Sequence, residues 1–421
     1  NSKTVSNLKL RLSYGKIGND AIPPFGSLAL MDPSRYNFND QLVTGYYESN
    51  LANDNLTWET TDQFNAGLDV GLFKSKINLT LDAYYKLTHD LLQNVLLPAS
   101  NGYASIVDNF GEVENKGIEL GINATIYDTK KFGWNVSGNF SLNRNRLNAL
   151  NSNLEFQLGP SVGFAQTNPI MFMKGKPLGI FWGAQTNGIY KDWTEAISSG
   201  ITGAAPGEIK YKNNAVDLDT NGQPLATQKI GFEDYVQIGD PNPDYNIAIT
   251  NNFRLGNWDL SLLFTGQKGG DIFWVDSWQL SNNSKTTNGL ASAFYDAWKA
   301  PLIFNRATGE VQYDASVGNT VNASHPAPLT EVGQRAIASD RQVYDGSFIR
   351  LKNLNIGYTF GFEKNRTLRI YATGQNLVTW TNYPGYDPEV QTYNKDPQRR
   401  GVDFGGYPGT RTYTMGLKFN Y

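Results

Sequence analysis

The sequence predicts an all-β protein whose strands form part of a transmembrane antiparallel β-barrel. Three observations predict this fold class. Apolar residues recur at every second position in many segments, the residues between them are polar or small, and short connections alternate with very long ones. The 421 residues include 42 glycines, 23 tyrosines and 22 phenylalanines, and only 18% are charged. This composition favours strands and tight turns over a helical bundle.

Ten segments carry the alternation, and each places its apolar side chains on one face of a strand. The other face carries Asn, Ser, Thr and charged residues, as expected when one side meets lipid and the other a wet lumen. Segments of roughly 9–11 residues can cross a bilayer when tilted. The ten segments are 8–15, 64–72, 77–85, 118–126, 134–142, 245–255, 258–266, 354–360, 368–374 and 413–421.

Connection lengths separate a membrane barrel from a soluble sandwich, which could show the same alternation. Outer-membrane barrels have tight periplasmic turns and long extracellular loops. Counting strand directions back from the last strand places 143–243 and 267–347 outside the cell, so the apolar stretch 178–190 is expected to be a loop element. Short connections near 71–77, 127–134, 254–258 and 361–368 alternate with long ones near 19–56, 87–113, 143–243, 267–347 and 377–410.

Composition excludes several function classes. The formal net charge is −3 without a basic stripe, which argues against a nucleic-acid partner. There are no cysteines, and the two histidines, His89 and His325, are too few for a multi-histidine metal site or a conventional His-centred triad. No GxSxG, HExxH, P-loop or GxGxxG motif is present. The acidic pairs Glu112/Glu114 and Asp387/Glu389 do not indicate a glycosidase, because such a pair is defined by its separation across a cleft and not by its spacing in the sequence. We therefore expect no enzyme.

Ten strands are expected to be a portion of a larger barrel. Their small polar inward residues are too small to fill a tight lumen, and open edges at 8–17 and 411–421 would not be tolerated in lipid. The chain opens at Asn1 without Met or a signal peptide, so we expect a processed chain or a fragment.

Several segments together resemble SusC/RagA-type TonB-dependent transporters of Bacteroidetes outer membranes. The resemblance runs in the same order over nearly the whole chain and covers only the C-terminal part of that family, whose barrel has 22 strands. The plug domain and TonB box of the family are not in this sequence. The segments are LKLRLSYGKIGN, NLTWETTDQFNAGLDVGLF, NFGEVENKGIELGINATI, IGDPNPDYNIAITNNF, YDGSFIRLKNLNIGYTF, RIYATGQNLVTWTNYPGYDPEV and GTRTYTMGLKFNY.

The resemblance implies active import of a large nutrient, an oligosaccharide or a peptide, across the outer membrane. It implies a SusD-like surface lipoprotein as a lid and energy supplied through TonB, which would contact parts outside this sequence. A passive porin-like channel is the alternative, and an outer-membrane hydrolase is a third. No cofactor is required.

Aromatic residues in the long loops are the candidate ligand contacts. A flat ring can stack on a sugar or pack against a peptide. Packing inside the loops, the outer aromatic belt and contact with the lid protein are the alternatives. Trp58, Trp134 and Trp258 lie at strand ends and are expected to be interface anchors. The candidates are Trp182, Tyr190, Trp193, Trp274, Trp278, Trp298, Trp380, Tyr383 and Tyr386.

The segment DLDTNGQ (217–223) matches the first half of a calcium loop. Asp217, Asp219 and Asn221 occupy positions 1, 3 and 5, and Gly222 follows at position 6. Position 12 is Gln228 instead of an acid, and Glu233 or Asp234 could substitute for it. A structural Ca²⁺ site is thus one prediction, and an Asx-rich turn without metal is the alternative.

The C-terminal segment YTMGLKFNY ends in aromatic residues on its apolar face. Phe419 and Tyr421 resemble the signal that the barrel-assembly machinery recognises in bacterial barrels. The alternative is a pair of aromatic girdle residues at the periplasmic interface, and both readings can hold.

Overall fold

The structure is a computed structural model. Its α-helices, within the part of the chain described, have five or six residues, and none could cross a membrane. The structure describes residues 4–20, 22, 24–103, 105–109, 111–150, 154–163, 168–281, 288–314, 317–328, 337–363, 366–390, 392–393 and 396–421.

The described residues form 25 β-strands and three α-helices, labelled in chain order. The helices are α1 (Trp193–Ser198), α2 (Ser277–Ser281) and α3 (Ala291–Tyr295). The strands are β1 (Val5–Asn19), β2 (Met31–Phe38), β3 (Gln41–Glu48), β4 (Glu59–Leu72), β5 (Ile77–His89), β6 (Leu92–Leu96), β7 (Ser105–Asn109), β8 (Gly111–Asp128), β9 (Phe132–Leu150), β10 (Phe156–Leu158), β11 (Ile170–Met173), β12 (Ile180–Gly183), β13 (Thr186–Ile189), β14 (Ile209–Tyr211), β15 (Val236–Gly239), β16 (Pro243–Leu255), β17 (Trp258–Gly269), β18 (Ile272–Trp274), β19 (Leu302–Asn305), β20 (Glu310–Tyr313), β21 (Val343–Tyr344), β22 (Phe348–Gly361), β23 (Thr367–Thr381), β24 (Val402–Asp403) and β25 (Thr412–Asn420).

One antiparallel sheet of ten strands forms the wall of the molecule, in the order β1-β4-β5-β8-β9-β16-β17-β22-β23-β25. Each strand pairs with the next one along the chain that belongs to this sheet. The ten predicted strands are confirmed. The sheet ends on β1 and β25, which do not pair with each other, so these strands form only part of a barrel.

Within the described part of the chain, no second layer packs on the apolar face of this sheet. Leu8, Leu10 and Leu12 on β1 are 65%, 67% and 72% exposed. Ile356 and Ile370, on strands inside the sheet, are 39% and 45% exposed. Rows of exposed aliphatic side chains of this length suit a wall that faces hydrocarbon.

Aromatic pairs line the apolar face at the end of the sheet with short turns. Trp134 stacks on Phe253 with ring centroids 5.7 Å apart. Trp258 meets Tyr358 edge-on with centroids 4.9 Å apart. Amphipathic rings at one level of the wall suit a membrane–water interface. Trp58, the third expected anchor, is exposed and lies at the opposite end of the sheet, directly before β4.

The strands β8 and β9 contain 18 and 19 residues, more than a bilayer requires. Their ends at the long-loop side place Val113, Leu147 and Leu150 in an apolar core shared with the loops. The wall and the long loops are therefore one packed unit at this end.

The long loops carry sheets of their own. One has the order β10-β11-β12-β15, and another has the order β21-β18-β24. The stretch 178–190, expected to be a loop element, contains β12 and β13, which lie outside the ten-stranded sheet. Distant segments meet in the core, where the rings of Phe181 and Phe273 lie 5.6 Å apart and Val402 is buried beside them.

Candidate functional site

The inner face of the ten-stranded sheet is polar, and its charges are paired across strands. Arg11 on β1 donates hydrogen bonds to Asp69 at 3.0 and 3.1 Å and to Asp82 at 3.1 Å. Arg369 on β23 contacts Asp259 on β17 at 2.5 Å. Because these opposite charges are matched in place, they keep this face hydrophilic without adding a local excess of either sign.

Glycines on the inner face let long side chains lie flat on the sheet. A Cβ added to Gly117 would lie 2.5 Å from the hydroxyl oxygen of Tyr84, which crosses it to donate a hydrogen bond to Asn143 at 2.9 Å. A Cβ added to Gly357 would lie 2.6 Å from Nε of Arg369. The side chains that would otherwise project into the lumen are laid along its wall.

A charged cavity of about 570 Å³ lies where β22 and β23 meet the last long loop. Arg350 and Lys352 come from β22, and the loop after β23 supplies acidic groups. The lining includes Arg350, Lys352, Asn376, Asp387, Glu389, Thr392, Asp403 and Tyr407.

A second cavity of about 510 Å³ adjoins the first, and Val390 and Thr392 line both. We call the two together the mouth basin. The second cavity combines amides from the inner face of β8 and β9 with charged side chains of the last long loop. Its polar lining includes Asn115, Asn143, Asn145, Asn242, Asp396, Arg399 and Arg400. The basin thus offers amide donors and acceptors together with charges of both signs.

Arg350 fastens the last long loop to the wall. Its side chain is only 4% exposed and donates to Thr379 at 2.9 Å and to Asp387 at 2.5 Å. It also contacts Glu389, which accepts a hydrogen bond from Lys352 at 3.0 Å. The pair Asp387/Glu389 therefore binds an arginine and holds the loop in place.

A buried carboxylate supports the floor of the charged cavity. Asp403 is 3% exposed and accepts hydrogen bonds from the hydroxyl of Tyr383 at 2.6 Å and from Thr392 at 3.3 Å. Burial raises the pKa of Tyr383, and its hydrogen bond to Asp403 raises it further. This hydroxyl therefore stays protonated and acts as a donor.

Four of the nine candidate aromatic residues are buried: Tyr190, Trp274, Trp278 and Tyr383. Trp274 and Tyr383 are brought together, with ring centroids 6.0 Å apart and edge-on geometry. Both belong to a small apolar core that also contains Ile272. For these four residues the surroundings match the packing alternative.

Three further candidates lie apart from one another on the loops. Trp193 begins α1 and is exposed. Trp298 is half-buried and donates to the carbonyl of Lys191 at 3.0 Å. Trp182 lies in β12, and its buried indole N–H has no acceptor among the described residues.

The last two candidates lie near the wall. Trp380 on β23 is exposed on the apolar face, opposite Ile349 in the register, which suits the aromatic-belt alternative. Tyr386 is 81% exposed and directly precedes Asp387 of the mouth basin. None of the nine candidates lines the basin as far as the structure describes it.

The calcium-like segment forms a hydrogen-bonded turn. Asp219 accepts from the backbone N–H groups of Asn221 and Gln223, both at 2.8 Å. Asp217 accepts from the N–H of Lys229 at 2.6 Å, and Gln228 binds the backbone of this turn. These are the contacts of the Asx-turn alternative. Among the described residues no group of three or more acidic or histidine side chains is arranged to hold a metal.

Asp234, considered as a substitute ligand, is engaged elsewhere. It is 2% exposed and accepts hydrogen bonds from the backbone N–H groups of Asn214, Ala215 and Gly231 at 2.8–2.9 Å.

The imidazole of His89 lies between two carboxylates, with Nε2 3.6 Å from Asp62 and Nδ1 3.0 Å from Glu112. The other histidine, His325, lies in a loop, where burial lowers its pKa.

The residues that line the basin were not predicted as site residues. One signal was present in the sequence, since asparagines recur at alternate positions of β9 on the face opposite the apolar one. The charged members could not be found in this way, because Arg350, Arg399 and Asp387 come together in the basin only after the last long loop folds back over the wall.

At the C-terminal end of β25, the rings of Phe419 and Tyr421 stack with centroids 6.2 Å apart.

Comparisons with known proteins place the chain in a family. The family model described as "TonB dependent receptor-like, beta-barrel" matches residues 4–377. TonB-dependent receptor P3 of Formosa agariphila is 34% identical over 432 residues, which cover 100% of this chain and 40% of the relative. TonB-dependent receptor SusC of Bacteroides thetaiotaomicron is 27% identical over 437 residues, covering 99% of this chain and 38% of the relative.

Solved structures agree on the fold. The structure of the RagAB peptide transporter matches with a TM-score of 0.78 at 23% sequence identity, covering 100% of this chain and 41% of that one. The chain spans about two fifths of the length of the curated relatives above. The predicted SusC/RagA resemblance, the outer-membrane location and the absence of enzyme function in the family are confirmed. The chain belongs to the TonB-dependent receptor family and forms part of a β-barrel that crosses the outer membrane with its strands.

Proposed function

We propose that the protein containing this barrel portion imports a large polar nutrient, an oligosaccharide or a peptide, in a TonB-dependent manner. A SusD-like surface lipoprotein would close over the long loops, which would face the cell exterior. Support comes from the family match and from the resemblance to SusC and to a structure named as a peptide transporter.

The observation that carries this proposal is the polar inner face that leads into the mouth basin. Asn143 and Asn145 already hydrogen-bond to neighbours in the wall and the loops. Each keeps a second amide hydrogen and a second oxygen lone pair, which suit sugar hydroxyls and peptide bonds alike. Lys352 and Glu389 present opposite charges in the neighbouring cavity. A large polar ligand can therefore exchange water for protein hydrogen bonds when it enters.

The chain's own residues suggest how such a ligand would be held and released. The loop floor is fixed by Arg350 and by the Tyr383–Asp403 hydrogen bond, so the basin is formed before a ligand arrives. Below it, Arg11 is already paired with Asp69 and Asp82. Paired charges bind a passing ligand weakly at several points, which permits movement through the lumen once a plug has rearranged.

The proposal is tested by uptake into cells that carry the full-length transporter and its lid. Labelled oligosaccharides and labelled peptides are offered separately, with TonB present and with TonB deleted. We expect one class to be taken up only when TonB is present. Uptake without TonB would indicate a passive channel, and hydrolysis of the ligand by the purified protein would indicate an enzyme.

A matched pair of variants tests the basin itself. Lys352→Gln removes a basin cation that contacts Glu389 at 3.0 Å, and Lys268→Gln removes a cation that contacts Asp345 at 3.5 Å on the apolar face of the wall. We expect Lys352→Gln to weaken uptake about three- to tenfold at low ligand concentration, which corresponds to about 0.7–1.4 kcal/mol for one hydrogen bond from a partly exposed side chain. Equal uptake by both variants would contradict the basin assignment.

A further inference from the structure

The apolar face of β8 and β9 becomes basic at the end with long loops. On β8 the row Leu120, Ile118 is followed by Lys116, and on β9 the residue after Leu142 on the same face is Arg144. The pairing of the two strands is regular through these positions, so the basic side chains share the face that carries the apolar rows.

The change from apolar to basic side chains on β8 and β9 occurs at the height where a bilayer ends. Ten residues separate Trp134, in the aromatic row near the short turns, from Arg144. At ~3.3 Å per residue and a tilt of ~45°, this corresponds to ~23 Å along the membrane normal. The apolar band of an outer-membrane barrel is about 25 Å tall, so the basic row lies at the level of lipid headgroups.

Positive charge is concentrated there. Lys116 and Arg144 are directly opposite each other in the register, an arrangement that destabilises a sheet unless an anion is near. Arg146 lies one step further along the same face of β9. The turn at 174–176 lies beside β9, where the N–H of Gly175 donates to the carbonyl of Leu147 at 2.7 Å. We call Lys116, Arg144, Arg146, Lys174 and Lys176 the rim patch.

Acidic neighbours offset only part of this charge. Lys116 contacts Glu114 at 2.8 Å, Arg144 contacts Asp244 at 3.0 Å, and Lys174 is 3.9 Å from Glu155. The side chains of Lys116 and Arg144 remain 61% and 49% exposed. Three carboxylates against five basic groups leave the rim patch with donors available to an anion.

We propose that the rim patch binds the phosphate group of an outer-leaflet glycolipid. Arginine matches phosphate with paired donors, and lysine supplies a compact charge. The acyl chains of the same lipid would lie on the aliphatic row below, against Ile118 and Leu142. A headgroup anion would remove the repulsion between Lys116 and Arg144 and fix the wall at one height in the membrane.

The experiment measures lipid retention by the purified full-length transporter, using native mass spectrometry. The probes are lipid A carrying its phosphates, the same lipid A after enzymatic removal of phosphate, and inorganic phosphate as competitor. The test variant is Lys116→Gln/Arg144→Gln/Arg146→Gln. The control, Lys9→Gln/Lys86→Gln/Lys418→Gln, removes the same charge from the inner face.

Each basic group near an anionic lipid surface contributes about fivefold in affinity, so the test variant should retain phosphorylated lipid A at least tenfold less than wild type. The control should match wild type. Equal retention of the dephosphorylated lipid by wild type would overturn the proposal, and so would displacement by inorganic phosphate at concentrations equal to those of the lipid.

Two measurements keep the test decisive if the neutral variant does not fold. The variant Lys116→Arg/Arg144→Lys/Arg146→Lys keeps all charges and should retain the lipid. Wild-type retention should also fall as salt is raised, because exposed charges are screened. Retention that is insensitive to salt, or lost in the charge-preserving variant when that variant is folded, would overturn the proposal.

Discussion

Replacing Arg350 by methionine should release the last long loop from the barrel wall. The guanidinium is almost fully buried and serves Thr379, Asp387 and Glu389 at once. Methionine keeps much of the side-chain volume and removes every donor. Two carboxylates would then face each other near the charged cavity with one cation fewer.

The magnitude follows from the exposure of the partners. Removing one member of a buried ion pair costs about 3–5 kcal/mol when the remaining charge is buried. Here the side chains of Asp387 and Glu389 are 18% and 37% exposed, and Glu389 keeps Lys352 at 3.0 Å. Water and Lys352 therefore reduce the penalty, and we expect a loss of about 2–4 kcal/mol in the local stability of the loop.

Hydrogen exchange of the full-length transporter measures this loss directly. Amides in 382–390 should exchange about 30-fold faster or more, since 1.4 kcal/mol corresponds to a factor of ten. The control Lys352→Met removes a partly exposed cation and should change the exchange by less than about 1 kcal/mol. Unchanged protection in the Arg350 variant, with an intact barrel, would refute the assignment of this arginine as the loop anchor.

Three further outcomes are expected. Gly117→Val should clash with the backbone carbonyl of Leu142, displace Tyr84 and cost about 1–3 kcal/mol or more, seen as a lower unfolding temperature of the barrel; an unchanged temperature would contradict the close approach. Trp274→Ala should cost about 3–5 kcal/mol in loop stability and Trp193→Ala less than about 0.5 kcal/mol, by thermal melting; similar losses would contradict the burial difference. Burial raises the pKa of Asp271, and neighbouring carboxylates raise it further. The carboxyl proton of Asp271 is therefore held more tightly in the folded loop than in the unfolded chain. Loop stability should therefore fall as pH rises above the ordinary carboxyl range, and Asp271→Asn should flatten this dependence in melts at several pH values; an unchanged slope would contradict it.

The wall was predictable because each strand meets two different solvents. Lipid on one side and water on the other impose strict alternation, as in β5, where Leu79 and Leu81 alternate with Thr80 and Asp82. The direction of each strand follows from the alternation of short and long connections. The alternation predicts strands that stop at Ile118 and Leu142 on the long-loop side, whereas β8 and β9 extend to Gly111 and Leu150. The pattern changes there because the side chains beyond these residues no longer face lipid, and Val113 and Leu147 enter the loop core.

The loops were not predictable in the same way. Their strands are short, and β18 pairs in parallel with β24, joining Phe273 to Val402 across more than a hundred residues. Aromatic residues in such loops can serve a ligand or a core, and composition does not distinguish them. Trp274 and Tyr383 are buried and pack on each other, which are the surroundings of the packing alternative.

The shared core limits how these loops can change. Phe181, Phe273, Ala338 and Val402 come from three separate long connections, yet they are buried in one cluster. Swapping a single connection between related receptors would leave its former neighbours without matching partners. Attempts to retarget such a barrel to a new nutrient should therefore transplant all three connections as a set, with the upper ends of β8 and β9 on which they rest.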